Sequence, residues 1–314
     1  MDSTPLSRAT SLSQASITDS LNPKLRELAQ TQERLSTGRR VNRPSDDASS
    51  FQKARQLEVL EQRYEQYNRA ITDARAWLDH TQENLDLVTD VFAEAYDLGV
   101  RSTNSTLTES ERDEIATALE GLMENVVELL NSKAGEEYLY SGTRTGVKPF
   151  DFDAADPASD AANVVYYGNG DAVERQIGPD ANLDINIDGT RAISVDQDRD
   201  GAADFTATES IQNMIDALRA NDLDAMKTGI DRIEASRDHF INLGSEVGSV
   251  VNRLDLSESQ LAEASIAVAR QRSDVEEVDL AAALLDFQRA QTNLQTSLQL
   301  TATVLQETTL LNFI

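Results

Sequence analysis

The chain has 314 residues, 39% of them hydrophobic and 5% aromatic, enough for real cores but lean in large rings. Its 28 basic residues stand against 55 acidic ones, a formal charge of −27, which argues against nucleic acid or an anionic membrane as its partner. It has no cysteine, so disulfides and thiolate metal sites are excluded, and no apolar run approaches the length of a membrane span.

Met1 to Asp19 is rich in Ser and Thr, with only Leu6, Leu12 and Ile17 to bury, and reads as a segment that becomes ordered against a partner. It lacks the basic start and apolar middle of a secretory signal, so export by that route is not expected. Leu21, Leu25, Leu28 and Leu35 then form a helical seam, with Asn22 and Pro23 as N-cap and first helical residue and Gly38 as the stop. The loop that follows carries Arg39, Arg40 and Arg43, unusual in so acidic a chain. They read either as a docking point for acidic neighbours or as a solvated loop. Asp46 and Asp47, after Pro44, place two carboxylates at the positive end of the next helix.

From Leu57 to Ala95 apolar residues recur in steps of three and four, with Thr81 the one break, so a 3.5-residue repeat makes a narrow seam along a long helix. Its natural partner lies near the other end of the chain, where Ile233, Phe240, Val247, Leu254, Leu261, Val268 and Val275 recur at every seventh residue. Between them, Thr108 and Glu111 fit a capping box for a shorter helix lined by Ile115, Leu119, Leu122, Val126 and Leu129 and ended by Gly135.

The period changes at Tyr138. Leu183, Ile185 and Ile187 alternate with Asp184, Asn186 and Asp188, Asp188-Gly189 reads as a hairpin turn, and the stretch to about Thr206 predicts a β module of four to six strands inserted between helices. Helix returns near Thr208, breaks at Ala220-Asn221-Asp222, and Asp222 can cap the second long helix. A terminal helix then carries Leu280, Leu284, Phe287, Leu294, Leu298 and Leu305 on a 3.5-residue repeat. Both ends therefore carry sticky helices with no evident core of their own. The fold predicted is mainly α: an elongated antiparallel coiled-coil bundle built from the N- and C-terminal regions, with a small inserted β domain.

Catalysis finds no foothold: His80 and His239 sit within helical patterns, and no metalloprotease, serine-hydrolase or phosphate-loop motif occurs. Neither an enzyme nor a cofactor is expected. Asp196, Asp198, Asp200 and Gly201 match the first half of a calcium loop, with Asp204 at the ninth position, but the twelfth is Ala207 where a bidentate Glu is needed. Calcium and a plain acidic turn both stay open there.

Leu35-Ser-Thr-Gly-Arg-Arg-Val-Asn-Arg-Pro-Ser-Asp-Asp47 resembles the N-terminal signature of the bacterial flagellin superfamily, and the terminal heptad helix is similar to its C-terminal half. Tyr138-Leu-Tyr-Ser-Gly-Thr-Arg-Thr-Gly-Val-Lys-Pro-Phe150, Glu246-Val-Gly-Ser-Val-Val-Asn-Arg-Leu-Asp255 and the ending Leu310-Leu-Asn-Phe-Ile314 look like the hook–filament junction branch rather than filament subunits. Asn22-Pro23 departs from it, interrupting a helix that the superfamily would run through. The resemblance implies an extracellular structural protein of the flagellum, exported unfolded through the type III apparatus without a cleaved signal. An export chaperone would cover about Val278 to Ile314. Adjacent copies, a hook-side junction protein and flagellin would be the assembly partners. The chain then divides into a 1–44 assembly and export segment, 45–137 and 208–274 as halves of a helical rod, a 138–207 β insert and a 275–314 assembly helix. The rival readings are a filament flagellin and, from another class, a cytoplasmic coiled-coil signalling module.

Overall fold

In a computed structural model the structure describes residues 5–152, 164–198 and 200–311, with the side chains of the terminal helices described between 18 and 303. Helices α1 (Pro5–Thr37), α2 (Ala48–Ser102) and α3 (Glu109–Leu130) come first. Short strands follow: β1 (Lys133–Ala134), β2 (Glu137–Tyr138), β3 (Phe150–Phe152), β4 (Val164–Tyr166), β5 (Glu174–Gly178) and β6 (Ala181–Asp184). The one-turn helix α4 (Gly189–Ile193), β7 (Ser194–Val195) and β8 (Phe205–Thr206) lead into α5 (Ala207–Ala220), α6 (Leu223–Glu276) and α7 (Leu280–Leu311). The chain divides into two units, residues 64–262 and residues 1–63 with 263–314.

The unit of residues 64–262 holds the continuous apolar core. There α2 and α6 run antiparallel: Arg75 reaches Asp255 at 2.5 Å and Glu258 at 2.7 Å, while farther along α2 Phe92 stacks on Phe240, earlier on α6, at 5.4 Å between centroids. The predicted seams are the buried faces, Ile71, Ala74, Leu78, Leu85, Val88, Phe92 and Ala95 against Ile233, Phe240, Val247 and Leu254. Trp77, Asn84 and Val91 are buried as well, so α2 covers a wider face than a coiled-coil seam. The added width serves α3 and α5, which pack side by side. Capping boxes at Thr108 with Glu111 and at Thr206 with Glu209 start these two helices, the first as the sequence predicts. Asn221 in the left-handed region ends α5, and the Asp222 carboxylate accepts the Asp224 and Ala225 N–H groups to open α6.

The β stretch differs from its prediction in three ways. Among the described residues it forms four separate two-stranded antiparallel pairs, β1–β2, β3–β4, β5–β6 and β7–β8, rather than one module of four to six strands. Helix α3 ends at Leu130 with Asn131 as C-cap, and Gly135 instead turns the β1–β2 hairpin at φ 65°. Asp188-Gly189 is no hairpin turn: the Asp188 carboxylate accepts the Arg191 N–H and caps α4, whose chain continues forward. These small pairs are held by side chains. Asn131 both donates to the Phe150 carbonyl and accepts its N–H, standing in for a neighbouring strand. The buried Tyr140 hydroxyl donates to Asn84 at 2.7 Å, and the Asn84 amide donates in turn to the Leu129 carbonyl and Ser132 hydroxyl.

In the other unit, α1 lies along α7. Helix α1 starts at Pro5 and runs through Pro23, so Asn22 and Pro23 are not its beginning. The proline removes one backbone donor without ending the helix, and Lys24 beside it reaches the Ser297 hydroxyl of α7.

Candidate assembly surface

The contact between α1 and α7 is a seam of mixed apolar, small and polar groups. Along it, half-buried or buried positions recur in alternating steps of three and four, Leu21, Lys24, Leu28, Thr31 and Leu35 on α1 and Ala283, Phe287, Ala290, Leu294, Ser297 and Thr301 on α7. Lys24 donates to the Ser297 hydroxyl across the seam. Ala283 and Ala290 let the two backbones approach closely.

This registry divides the assembly positions read from the sequence into two sets. Of the predicted α7 positions, Phe287 and Leu294 face inward, whereas Leu280, Leu284 and Leu298 lie off the seam with 57%, 47% and 51% of their surface exposed. Leu25 on α1 is likewise 50% exposed, unlike Leu21, Leu28 and Leu35. Leu305 lies outside the described side chains. Two positions that the sequence reading missed, Leu285 and Leu300, are 54% and 62% exposed. Their signal was present in the composition of α7, which holds more leucines than one seam can take. The helix pair thus closes on a mixture of half-buried leucines, Phe287 and small or polar side chains, and leaves further leucines uncovered on its outer faces.

The loop between α1 and α2 and the link between α6 and α7 are zipped together. Arg40 N–H donates to the Glu276 carbonyl at 2.7 Å, Val278 N–H to the Gly38 carbonyl at 3.0 Å, and Arg39 bridges Glu277 between them. Gly38, at φ 70°, makes the turn that brings the strands together. Arg39 pairs with Glu276 at 2.8 Å, Arg40 donates to the Val275 carbonyl at 3.0 Å, and Arg43 pairs with Glu33 at 3.0 Å, while all three guanidinium groups keep an exposed edge. Asp46 does not enter the helix: its carboxylate accepts the Asn42 and Arg43 N–H groups, which hold its pKa below the usual carboxylate range. Asp47 is the helix cap, accepting from the Ser50 hydroxyl and the Ser49 and Ser50 N–H groups, and its pKa is lowered by the same bonds. Glu61 and Arg272, 2.8 Å apart, extend the ion pairs between α2 and α6 in this unit.

In the other unit, Asp196, Asp198 and Asp204 bring carboxylate oxygens within 4.8 Å of one another. Asp200 does not join them, because its carboxylate turns to accept the Ala202 N–H. Asp196 accepts from Asp200 and Gly201, and Asp204 from Gln197 and Asp198, so the acidic residues also close the turn through backbone donors. Ala207 is the buried first residue of α5 and offers no bidentate ligand.

A mainly α chain with a small β insert, whose terminal helices pair yet keep apolar faces uncovered, has the build of a self-assembling helical subunit. Residues 9–145 match the bacterial flagellin N-terminal helical region and residues 230–314 the bacterial flagellin C-terminal helical region. The chain belongs to the bacterial flagellin family. It is 24% identical over 282 residues to the flagellar hook-associated protein 3 of Escherichia coli K12, covering 84% of this chain and 86% of that protein. To the flagellar filament 41 kDa core protein of Borreliella burgdorferi it is 27% identical over 133 residues, 39% of this chain and 40% of the relative. The crystal structure of hook-associated protein-3 from Legionella pneumophila shares the fold with a TM-score of 0.62 at 11% identity, over 70% of this chain and 98% of that one.

Proposed function

We infer that this chain is a structural adaptor of the flagellum, a ring-forming junction protein between the hook side and the flagellin filament. One observation carries the reading: Leu25, Leu280, Leu284, Leu298 and Leu300 stay about half exposed or more, while the intramolecular seam fully buries only Thr31, Ala283 and Ala290 and leaves its leucines and Phe287 half-buried. Covering each such leucine with a neighbour adds roughly 1 kcal/mol, so contact with adjacent copies stabilises the helix pair well beyond what it has alone. The exposed edges of Arg39, Arg40 and Arg43 give acidic neighbours a second point of contact, with Asp46 and Asp47 fixing the loop that presents them. The chain has no catalytic role in this reading. It is exported through the type III apparatus with its C-terminal segment, about Val278 to Ile314, held by a chaperone, and works outside the cell beside hook-side junction protein and flagellin.

The longer match supports a junction protein over a filament subunit: 84% of the chain aligns with hook-associated protein 3 against 39% with a filament core protein. The test is replacement of Leu284 and Leu298 by Asp in the source bacterium. Loss of the variant from purified flagella, with its helical circular dichroism retained, is the expected result, and full retention defeats the reading. Adding the purified parent protein to flagellin seeds separates the alternatives, since long homopolymers belong to a filament subunit and a terminal ring to an adaptor.

A further inference from the structure

The first turns of α2 carry another uncovered surface that the terminal helices do not use. Gln52, Arg55, Gln56, Val59, Leu60 and Arg63 line a shallow, mostly apolar hollow of about 530 Å³ on one face of that helix. Val59 is its centre, 49% exposed, and the helical repeat sets Arg55 one turn before it and Arg63 one turn after it on the same face. Arg55 is shared with Glu58 and the Phe51 ring, but Arg63 has no acidic partner among the described residues. A pair of arginines framing an apolar residue is exceptional on a chain of charge −27.

The complement of this frame occurs farther along the same helix. Leu87 is 47% exposed, with Glu83 one turn before it and Asp90 one turn after it, all exposed. Neither acid has a basic partner among the described residues. In both places an exposed apolar residue stands between like charges about one turn before and one turn after it, four and four residues away at Val59 and four and three at Leu87, with the signs reversed. The two patches lie far apart on one continuous helix and cannot meet each other within a molecule, and both are exposed, so each is free to meet the other on a second molecule.

We propose that the Arg55–Val59–Arg63 face of one copy receives the Glu83–Leu87–Asp90 ridge of the next copy, a head-to-tail contact separate from the terminal helices. With the two patches of each copy engaging two different neighbours, the contact repeats from copy to copy and builds a ring or a helical array. Opposite charges at both ends fix the register, and the Leu87–Val59 contact excludes water between them. The inference rests on the ring-forming reading above and adds the lateral contact that sets its geometry.

The absence of cysteine makes cross-linking clean. Flagella are purified from the source bacterium carrying Val59→Cys, Leu87→Cys or both, then oxidised and resolved on denaturing gels. The double variant is expected to give a ladder of dimers, trimers and higher species, and each single variant only monomer. In the double background, Arg55→Glu with Arg63→Glu cuts the cross-linked fraction to about a tenth, and adding Glu83→Arg with Asp90→Arg restores it. Rescue by the second pair cannot come from a misfolded chain. Single variants that cross-link as well as the double, a charge reversal without effect, or no ladder although gold-labelled antibody finds the chain at the junction would each overturn the proposal. If the unmutated parent is missing from flagella, the ring reading itself fails and this contact falls with it.

Discussion

Asn84 shows how one polar side chain can fix a local fold. It accepts the buried Tyr140 hydroxyl and donates to the Leu129 carbonyl and Ser132 hydroxyl, so it ties α2 to the end of α3 and to the turn that follows β2. Burial leaves the Tyr140 phenol without water and pushes its pKa far up. Asn84→Ala should cost about 2 to 4 kcal/mol in a denaturant titration, because it orphans several buried groups, whereas Tyr140→Phe should cost only about 1 to 2. Gly189 is fixed by space: a Cβ there would stand 2.2 Å from the Tyr166 ring and 2.7 Å from Phe150. Gly189→Ala should therefore destabilise by about 1 to 3 kcal/mol in the same measurement, and a neutral result would mean that this corner repacks freely. His239 titrates in the opposite sense to a paired histidine. Burial lowers its pKa from 6.5, outweighing the bonds to Arg191 and Ala192 and the attraction of Glu246. The unfolded chain then takes up the proton first, so stability is full above about pH 7 and falls as pH drops through 6.5. His239→Gln should flatten thermal unfolding between about pH 7.5 and 5.5, and an unchanged slope would place the dependence elsewhere. None of these three was legible in the sequence, since Asn84, Gly189 and His239 acquire their roles from residues far away in the chain.

At the scale of elements, α1 and α7 are paired through a weak seam. Its leucines and Phe287 are only half-buried and its fully buried members are Thr31, Ala283 and Ala290, whereas α2 fully buries Ile71, Leu78, Leu85 and Phe92. Amide exchange in the monomer should thus be fast over α1 and α7 and slow over residues 64 to 95, with the difference closing on assembly. Equal protection in a verified monomer would contradict a seam of this composition. The long helices were legible because a 3.5-residue repeat held over many turns has one physical meaning. The face that α7 turns to α1 was legible only at Phe287 and Leu294, because alanine and serine at Ala283, Ala290 and Ser297 carry no hydrophobic signal, while Leu280, Leu284 and Leu298, which do carry one, point elsewhere. The start of α1 was placed at Pro23 because Asn-Pro is a local start signal, whereas the helix in fact runs on through that proline from Pro5.

For the whole molecule, the continuous core runs from Tyr67 to Leu261 and lies within the unit of residues 64–262. A chain without α1 and α7, keeping residues 45 to 277, should unfold cooperatively within about 5 °C of the parent, read by circular dichroism. Loss of a cooperative transition would mean that the terminal helices are needed for the core to form. The amino-acid sequence alone determined the helical class, the antiparallel partnership of α2 and α6, the inserted β stretch and the family signatures, because periodicity and capping are local properties that survive without knowledge of neighbours. Only the tertiary structure decided which leucines are spent inside and which remain outside. It also showed that the arginine loop is zipped to the α6–α7 link, and that the β stretch is a set of separate pairs. Those outcomes depend on which surfaces meet, and a contact between residues as distant as Arg39 and Glu276 leaves no trace in either segment by itself.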